Sequence, residues 1–198
     1  MPTPPENPWT THKSETKYDN PWLTIVENQV TNPSGGEGIY GVVHFKRTAV
    51  GIIPIDDEGN TWLVGQYRYP TNTYEWEIPE GGADPGEDTL SAGKRELLEE
   101  TGITAQNWEP ILELQLSNST TNEVAVSYIA RDLSFGDAQP ETTEKLELKK
   151  LPLAEACAMA ADGRIKDAIA VATLLKTAHL LGIPADVEGS THRKSTPQ

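Results

Sequence analysis

Apolar and polar residues alternate every second position through much of the first two thirds of the chain, and later blocks repeat at helical spacing. Alternation sends successive side chains to opposite faces of a strand, whereas apolar residues three and four apart share one helix face. On this pattern Leu23 to Val30, Tyr40 to Phe45, Ala49 to Ile55 and Thr61 to Tyr69 are predicted strands. Asn32-Pro33-Ser34-Gly35-Gly36 reads as a turn, and Asp56-Asp57-Glu58-Gly59-Asn60 is expected to close a hairpin into Thr61. Ile111 to Leu116 and Val124 to Ala130 follow as strands around a polar loop, Ser117 to Asn122, and Leu146 to Leu151 as a last strand. Helices are predicted over Leu153 to Ala161 and Asp167 to Leu181, the second stopped by Gly182-Ile183-Pro184. Residues 1–19 read as an extended arm and 185–198 as a flexible polar tail. Asn7-Pro8-Trp9 returns as Asn20-Pro21-Trp22, too little for a repeat architecture, with the tryptophans as candidate anchors of the arm.

One further helix carries the chemistry. Gly81 to Ile103 reads GGADPGEDTLSAGKRELLEETGI. Glu99 and Glu100 follow Glu96 by three and four residues, so three carboxylates crowd one stripe. Like charges so placed destabilise a bare helix by ~0.2–0.5 kcal/mol per pair, which makes sense when a cation sits between them. Hard divalent ions take oxygen ligands and often bind through one or two carboxylates plus substrate phosphates. Leu90, Leu97 and Leu98 supply an apolar face, with the carboxylates expected on the opposite side. Asp84-Pro85-Gly86 turns into the helix, Gly102 stands at its C-terminal cap, and Arg95 is spaced to brace Glu87 and Glu99.

Gly81, Glu87 and Arg95-Glu96-Leu97-x-Glu99-Glu100-x-Gly102-Ile103 match the Nudix box at every specified position, so the chain resembles the Nudix hydrolases. These enzymes hydrolyse a nucleoside diphosphate linked to another moiety. Before the box, Gln66-Tyr67-Arg68 and Glu77-Ile78-Pro79-Glu80-Gly81 resemble segments of the ADP-ribose pyrophosphatases and nucleotide-sugar hydrolases. The resemblance implies an α/β fold, a Nudix α/β/α sandwich with a mixed sheet and an N-terminal antiparallel β extension. It divides the chain into the arm, a dimerising β region over 20–47, a hydrolase domain over 48–184 and the tail, and implies a homodimer.

It also implies a site. Mg²⁺, with Mn²⁺ as the other candidate, would be held by Glu96, Glu100 and the Glu80 carbonyl, with Glu99 bridging or bracing. A loop glutamate joins them as metal ligand or general base, Glu144 first and Glu141 second, while Arg95 holds the carboxylates. Arg68 and Gln66 would meet the substrate. Glu77 would accept from ribose or adenine or else pair with Arg68 across adjacent strands. Tyr69, Tyr74 and Trp76 are candidates for base stacking or for core. Where the ADP-ribose enzymes often carry Ser-Pro-Gly, this chain has Ser117-Asn118-Ser119, and Glu123 ends that loop. A broader set of nucleotide sugars is therefore in view, and so are a GDP-sugar, a dinucleoside polyphosphate, NADH or an acyl-CoA. The rival of another class is a nucleotide-sensing domain without hydrolysis; its signature, loss of a box glutamate, is absent.

Composition bears on partners. A chain of 198 residues suits one enzyme domain, and a formal net charge of −14 disfavours nucleic acid, which requires a basic surface. The same charge would repel a diphosphate unless cations intervene locally. No apolar run is long enough to span a bilayer and no signal segment is evident, so a cytoplasmic protein is expected. Cys157 is the single cysteine and reads as a small residue packed on a helix.

Overall fold

A computed structural model describes residues 5–138 and 146–184. Ten strands and three helices lie within them: β1 Thr10–Asp19, β2 Leu23–Thr31, β3 Glu37–Phe45, β4 Thr48–Pro54, β5 Asn60–Arg68, β6 Thr73–Glu77, β7 Glu80–Ala83, α1 Thr89–Thr101, β8 Ile103–Gln115, β9 Val124–Phe135, β10 Glu147–Pro152, α2 Leu153–Ala161 and α3 Ala168–Leu181. Strands β1-β2-β3 form an antiparallel N-terminal sheet. A four-stranded mixed sheet runs β7-β4-β9-β8, with β4 parallel to β9, and a three-stranded sheet runs β10-β5-β6.

Strand β4 explains the layering. Val50 and Ile52 belong to a core with Ala92 and Leu97 of α1, while Ile53, on the other face, joins Ile169, Ala170 and Leu174 of α3. The alternation thus serves two cores at once, as a strand buried on both faces requires. The larger core also takes in Cys157, whose thiol is raised to about 11 by burial, which suits packing and not nucleophilic chemistry. The expected sandwich with its N-terminal extension is present. Among the described residues no helix is long and apolar enough to cross a membrane.

Several local expectations change. The arm is largely a strand: β1 pairs with β2 along its length, and all ten of its residues are exposed. The repeated tripeptide has a local cause, since Asn7 Oδ1 and Asn20 Oδ1 each accept from the tryptophan amide two residues on, at 3.1 and 2.8 Å. Trp9 rests edge-on against Tyr40, as an anchor should. The turn Asp56–Asn60 closes no hairpin, because β4 and β5 enter different sheets. Strand β8 starts at Ile103 and β9 runs on to Phe135; their ends are polar and irregular, with a register shift between Pro110 and Leu112. Short β6 and β7 were hidden by composition, β7 being Glu-Gly-Gly-Ala. The tail and Glu141 and Glu144 lie outside the described residues.

Candidate active site

Helix α1 is set in place by its ends and one buried face. Asp88 accepts from the Ser91 amide at 2.9 Å, and Gly102 closes the helix at φ 71, a left-handed conformation that glycine adopts without strain. Ala92, Gly93, Leu97, Glu100 and Thr101 are the buried positions, whereas Leu98 is exposed. Glu100 therefore does not lie opposite the apolar face. Glu100 follows Leu97 by three residues and shares its side, at the edge where the helix meets β7. Fully burying a leucine such as Leu97 is worth about 1.5–3 kcal/mol, enough to fix the helix against the repulsion of its own charges.

Strand β7 receives the carboxylates through its backbone. The Glu80 amide donates to Glu100 Oε2 at 3.0 Å, and the Gly82 amide donates to Glu96 Oε1 at 3.1 Å. A Cβ on Gly81 would overlap the Glu96 carboxyl group, so the missing side chain is where that carboxylate sits. Burial raises the Glu96 pKa against the pull of Arg95 and the Gly82 amide. Arg95 ties the stripe together: it pairs with Glu87 at 3.0 Å, Glu96 at 2.8 Å and Glu99 at 3.1 Å, and donates to the Gly82 carbonyl at 3.0 Å. Glu87 also accepts from the Asp84 amide at 2.9 Å. Glu96 and Glu100, anchored two residues apart on β7 with backbone oxygen nearby, have the chemistry of ligands for a hard divalent cation, although among the described residues the three carboxylates that close to within 4.8 Å of one another are Glu77, Glu80 and Asp167.

A cleft of about 470 Å³ opens above this stripe, lined by Gln66, Arg68, Glu80, Glu96, Glu99 and Glu100. Trp22, Phe45, Arg47 and Glu123 form further parts of its wall. Arg68 is bound on the cleft's inner side: its guanidinium meets Glu77 at 2.5 Å and Glu80 at 2.8 Å. Glu77 is only 3% exposed, and Asp167 brings a carboxylate oxygen within 4.8 Å of Glu77 and Glu80. Burial alone would lower the Arg68 pKa, but Glu77, Glu80 and Asp167 together raise it. The Glu80 pKa is raised by burial and by Asp167 and Glu77, and its Oε2 is buried without a hydrogen-bond partner. Glu77 is thus engaged in the alternative foreseen for it, the pairing with Arg68 across adjacent strands, and is buried rather than open to a ribose or adenine, with Gln66 at 3.5 Å beside it. Breaking a buried ion pair by removing one partner costs about 3–5 kcal/mol, against about 0–1 for an exposed pair.

Trp76 lies outside the cleft. It alternates with Glu77 on β6, so the two project to opposite faces, and Trp76 packs against the main core under Lys149 and edge-on to Tyr74. Asp167, Arg47, Trp22 and Phe45 were not anticipated as site residues. Asp167 was legible as a helix start, and it caps α3 by accepting from the Ala170 amide at 2.7 Å; its place beside Glu77 depends on tertiary packing. The loop ending in Glu123 is stitched to β3. The Val43 amide donates to the Thr120 carbonyl at 2.9 Å, and Asn122 Oδ1 accepts from the Phe45 amide at 2.7 Å. Burial and the nearby Asp167 raise the Glu123 pKa.

Comparison with known proteins agrees with this geometry. Residues 45–174 match the family described as the NUDIX domain, and residues 9–43 match the nucleoside diphosphate sugar hydrolase N-terminal domain. An ADP-ribose pyrophosphatase of Mycobacterium tuberculosis is 33% identical over 175 residues, covering 86% of this chain and 83% of that protein. A methanol dehydrogenase activator of Bacillus methanolicus is 30% identical over 159 residues, 79% of this chain and 85% of that one. A solved structure described as an ADP compounds hydrolase superposes with a TM-score of 0.80 at 25% identity, covering 91% of this chain and 97% of its own.

Proposed function

Because the chain belongs to the Nudix hydrolase family, we propose that it hydrolyses the diphosphate bond of ADP-ribose or a related nucleoside diphosphate sugar. The products are a nucleoside monophosphate and a sugar phosphate. One observation carries the reading: Glu96 and Glu100 converge on the backbone of β7 at the floor of a cleft that also holds Arg68. Glu96, Glu100, the Glu80 carbonyl and Glu99 would hold the divalent ion, Mg²⁺ in this reading, which when bound would supply Lewis acidity to offset phosphate charge and to acidify a water.

The chain's own residues do the rest. The Gly82 and Glu80 amides hold the two main carboxylates in position, and Arg95 limits the movement of Glu96 and Glu99. Arg68, anchored by Glu77, presents positive charge along one side of the diphosphate, with Gln66 beside it. On the family resemblance the general base would be Glu144, with Glu141 second; the residue that acts must come within about 2.6–3.2 Å of the water or act through one more water. The exposed N-terminal sheet supports a homodimer, paired through the face that β1 offers.

A second reading, a nucleoside diphosphate derivative other than ADP-ribose, is favoured by Ser117-Asn118-Ser119, which brings neither proline nor glycine to the loop that leads to Glu123 on the cleft wall. Release of nucleoside monophosphate from ADP-ribose, ADP-glucose, GDP-mannose and UDP-glucose, each with and without Mg²⁺, separates the two. Metal-dependent turnover of ADP-ribose at the head of this panel is the expected result. No turnover of any member by folded, metal-loaded protein refutes the proposal.

A further inference from the structure

The amide of Glu80 serves the cleft by holding Glu100, but its side chain keeps other company. Glu80 opens β7, Glu77 ends β6 and Asp167 caps α3, and each offers a carboxylate oxygen within 4.8 Å of the other two. Three separate elements bring them together, so tertiary packing and not a run of acidic sequence makes the cluster. It is shielded from water: the Glu77 and Glu80 side chains are 3% and 11% exposed, and Asp167 is half-buried.

One guanidinium does not answer three carboxylates. Arg68 donates to both oxygens of Glu77, at 2.9 and 2.5 Å, and to Glu80 Oε1 at 2.8 Å. Glu80 Oε2 is left buried without a hydrogen-bond partner. Asp167 spends Oδ1 on the Ala170 amide at 2.7 Å, which leaves Oδ2 for another partner. The adjacent Lys166 is 67% exposed and pairs with Glu75 at 3.4 Å instead. With its carboxylates ionised, the cluster carries two negative charges that Arg68 does not balance. Buried charges in proteins are paired or coordinate metals. A carboxylate oxygen has more than one lone pair, so the bonds from Arg68 leave room for a further ligand on the same groups.

We propose that the side chains of Glu77, Glu80 and Asp167 form a second site for a hard divalent cation, distinct from the one built on Glu96 and Glu100. Charge selects the valence, since a divalent ion neutralises the excess and a monovalent ion leaves half of it. Ligands that are all oxygen select Mg²⁺, Ca²⁺ or Mn²⁺ over softer metals. An ion bound there would tie the start of α3 to β6 and β7 and steady the Glu80 peptide, whose amide holds Glu100. The inference needs only the carboxylates, so it stands apart from the substrate assigned to the cleft.

The test counts Mn²⁺ ions bound per chain by electron paramagnetic resonance titration of the full chain, without substrate. Wild type is compared with Glu80→Ala, Asp167→Asn and Glu96→Gln, each first shown to be folded by its melting temperature without metal. Asparagine also caps helices, so Asp167→Asn keeps the start of α3 and removes the charge. Glu80→Ala keeps the backbone carbonyl and amide that face the cleft. Both variants are expected to bind one Mn²⁺ fewer than wild type, or to bind it at least about tenfold more weakly. Glu96→Gln should retain that ion, and Mn²⁺ should raise the melting temperature of Glu96→Gln but not of the Glu96→Gln, Asp167→Asn double variant. Wild-type stoichiometry and affinity in either Glu80→Ala or Asp167→Asn overturns the proposal. So does loss of all Mn²⁺ binding in Glu96→Gln, since the cluster would then hold no ion of its own. Failure to cleave any nucleoside diphosphate would refute the proposed function and leave this ion count unchanged.

Discussion

Gly81 shows how a single missing side chain makes a site. Its φ lies outside the left-handed region, so an alanine there would not strain the backbone. The added methyl would instead displace the Glu96 carboxylate from the Gly82 amide. Gly81→Ala is therefore expected to keep the fold and to weaken Mn²⁺ binding by about 10–100-fold, read by electron paramagnetic resonance titration. Affinity equal to wild type would mean that Glu96 is not positioned in this way. Glu100→Gln keeps shape and removes charge; it should lower turnover by about a hundredfold or more with an unchanged melting temperature. Near-normal turnover would remove Glu100 from the metal site. The box residues were legible because their spacing along one helix already brings them together. Arg47 and Asp167 were not, since Arg47 reaches the cleft, and Asp167 the carboxylates of Glu77 and Glu80, from another element.

Strands and turns were legible where alternation is clean and obscure where function shapes composition. Strand β4 announces itself with Val50, Ile52 and Ile53, all fully buried. Strand β7 is as real, but two of its four residues are glycines because Glu96 and Arg47 occupy the space above them. The turn at Asp56 misled for another reason: its local chemistry suits a hairpin, yet it links two sheets. Asp56 accepts from the Asn60 amide at 2.8 Å and pairs with Lys150 of β10 at 2.8 Å, so it ties β10 to the start of β5. Desolvation pushes its pKa up, but Lys150 and Asn60 outweigh that and hold it at about 2, below the ordinary 3.8. A depressed carboxylate stabilises the fold above its unfolded pKa, and the contribution fades as pH falls through the folded value. Asp56→Asn should thus be less stable than wild type at pH 7 in urea denaturation, with the gap closing between about pH 4 and pH 2. A gap constant with pH would show that the carboxylate charge is not what matters.

The N-terminal sheet and the sandwich meet at the cleft, and assembly bears on both. All ten residues of β1, Tyr18 among them, are exposed, as is Ile39 of β3, an arrangement that a second subunit would cover. Light scattering after size exclusion should return twice the 21.6 kDa chain mass, and a chain lacking residues 1–19 should shift towards the single mass. A monomer at micromolar concentration would count against the homodimer. The layered fold was legible from periodicity because each buried face repeats on a fixed period. The seam between the two parts was not, because it consists of scattered bonds from β3 to the loop before Glu123, main chain to main chain at Val43 and main chain to the Asn122 side chain at Phe45, which no periodic pattern records. That seam has a consequence for exchange of modules. Since the amides of Val43 and Phe45 register the loop, one on its main chain and one on the Asn122 side chain, an N-terminal sheet transplanted from a relative would arrive with its own register and shift Glu123 with it. Residues 9–45 and the loop 117–122 therefore behave as one heritable cassette, and chimaeras that trade substrate range would have to carry both pieces or neither.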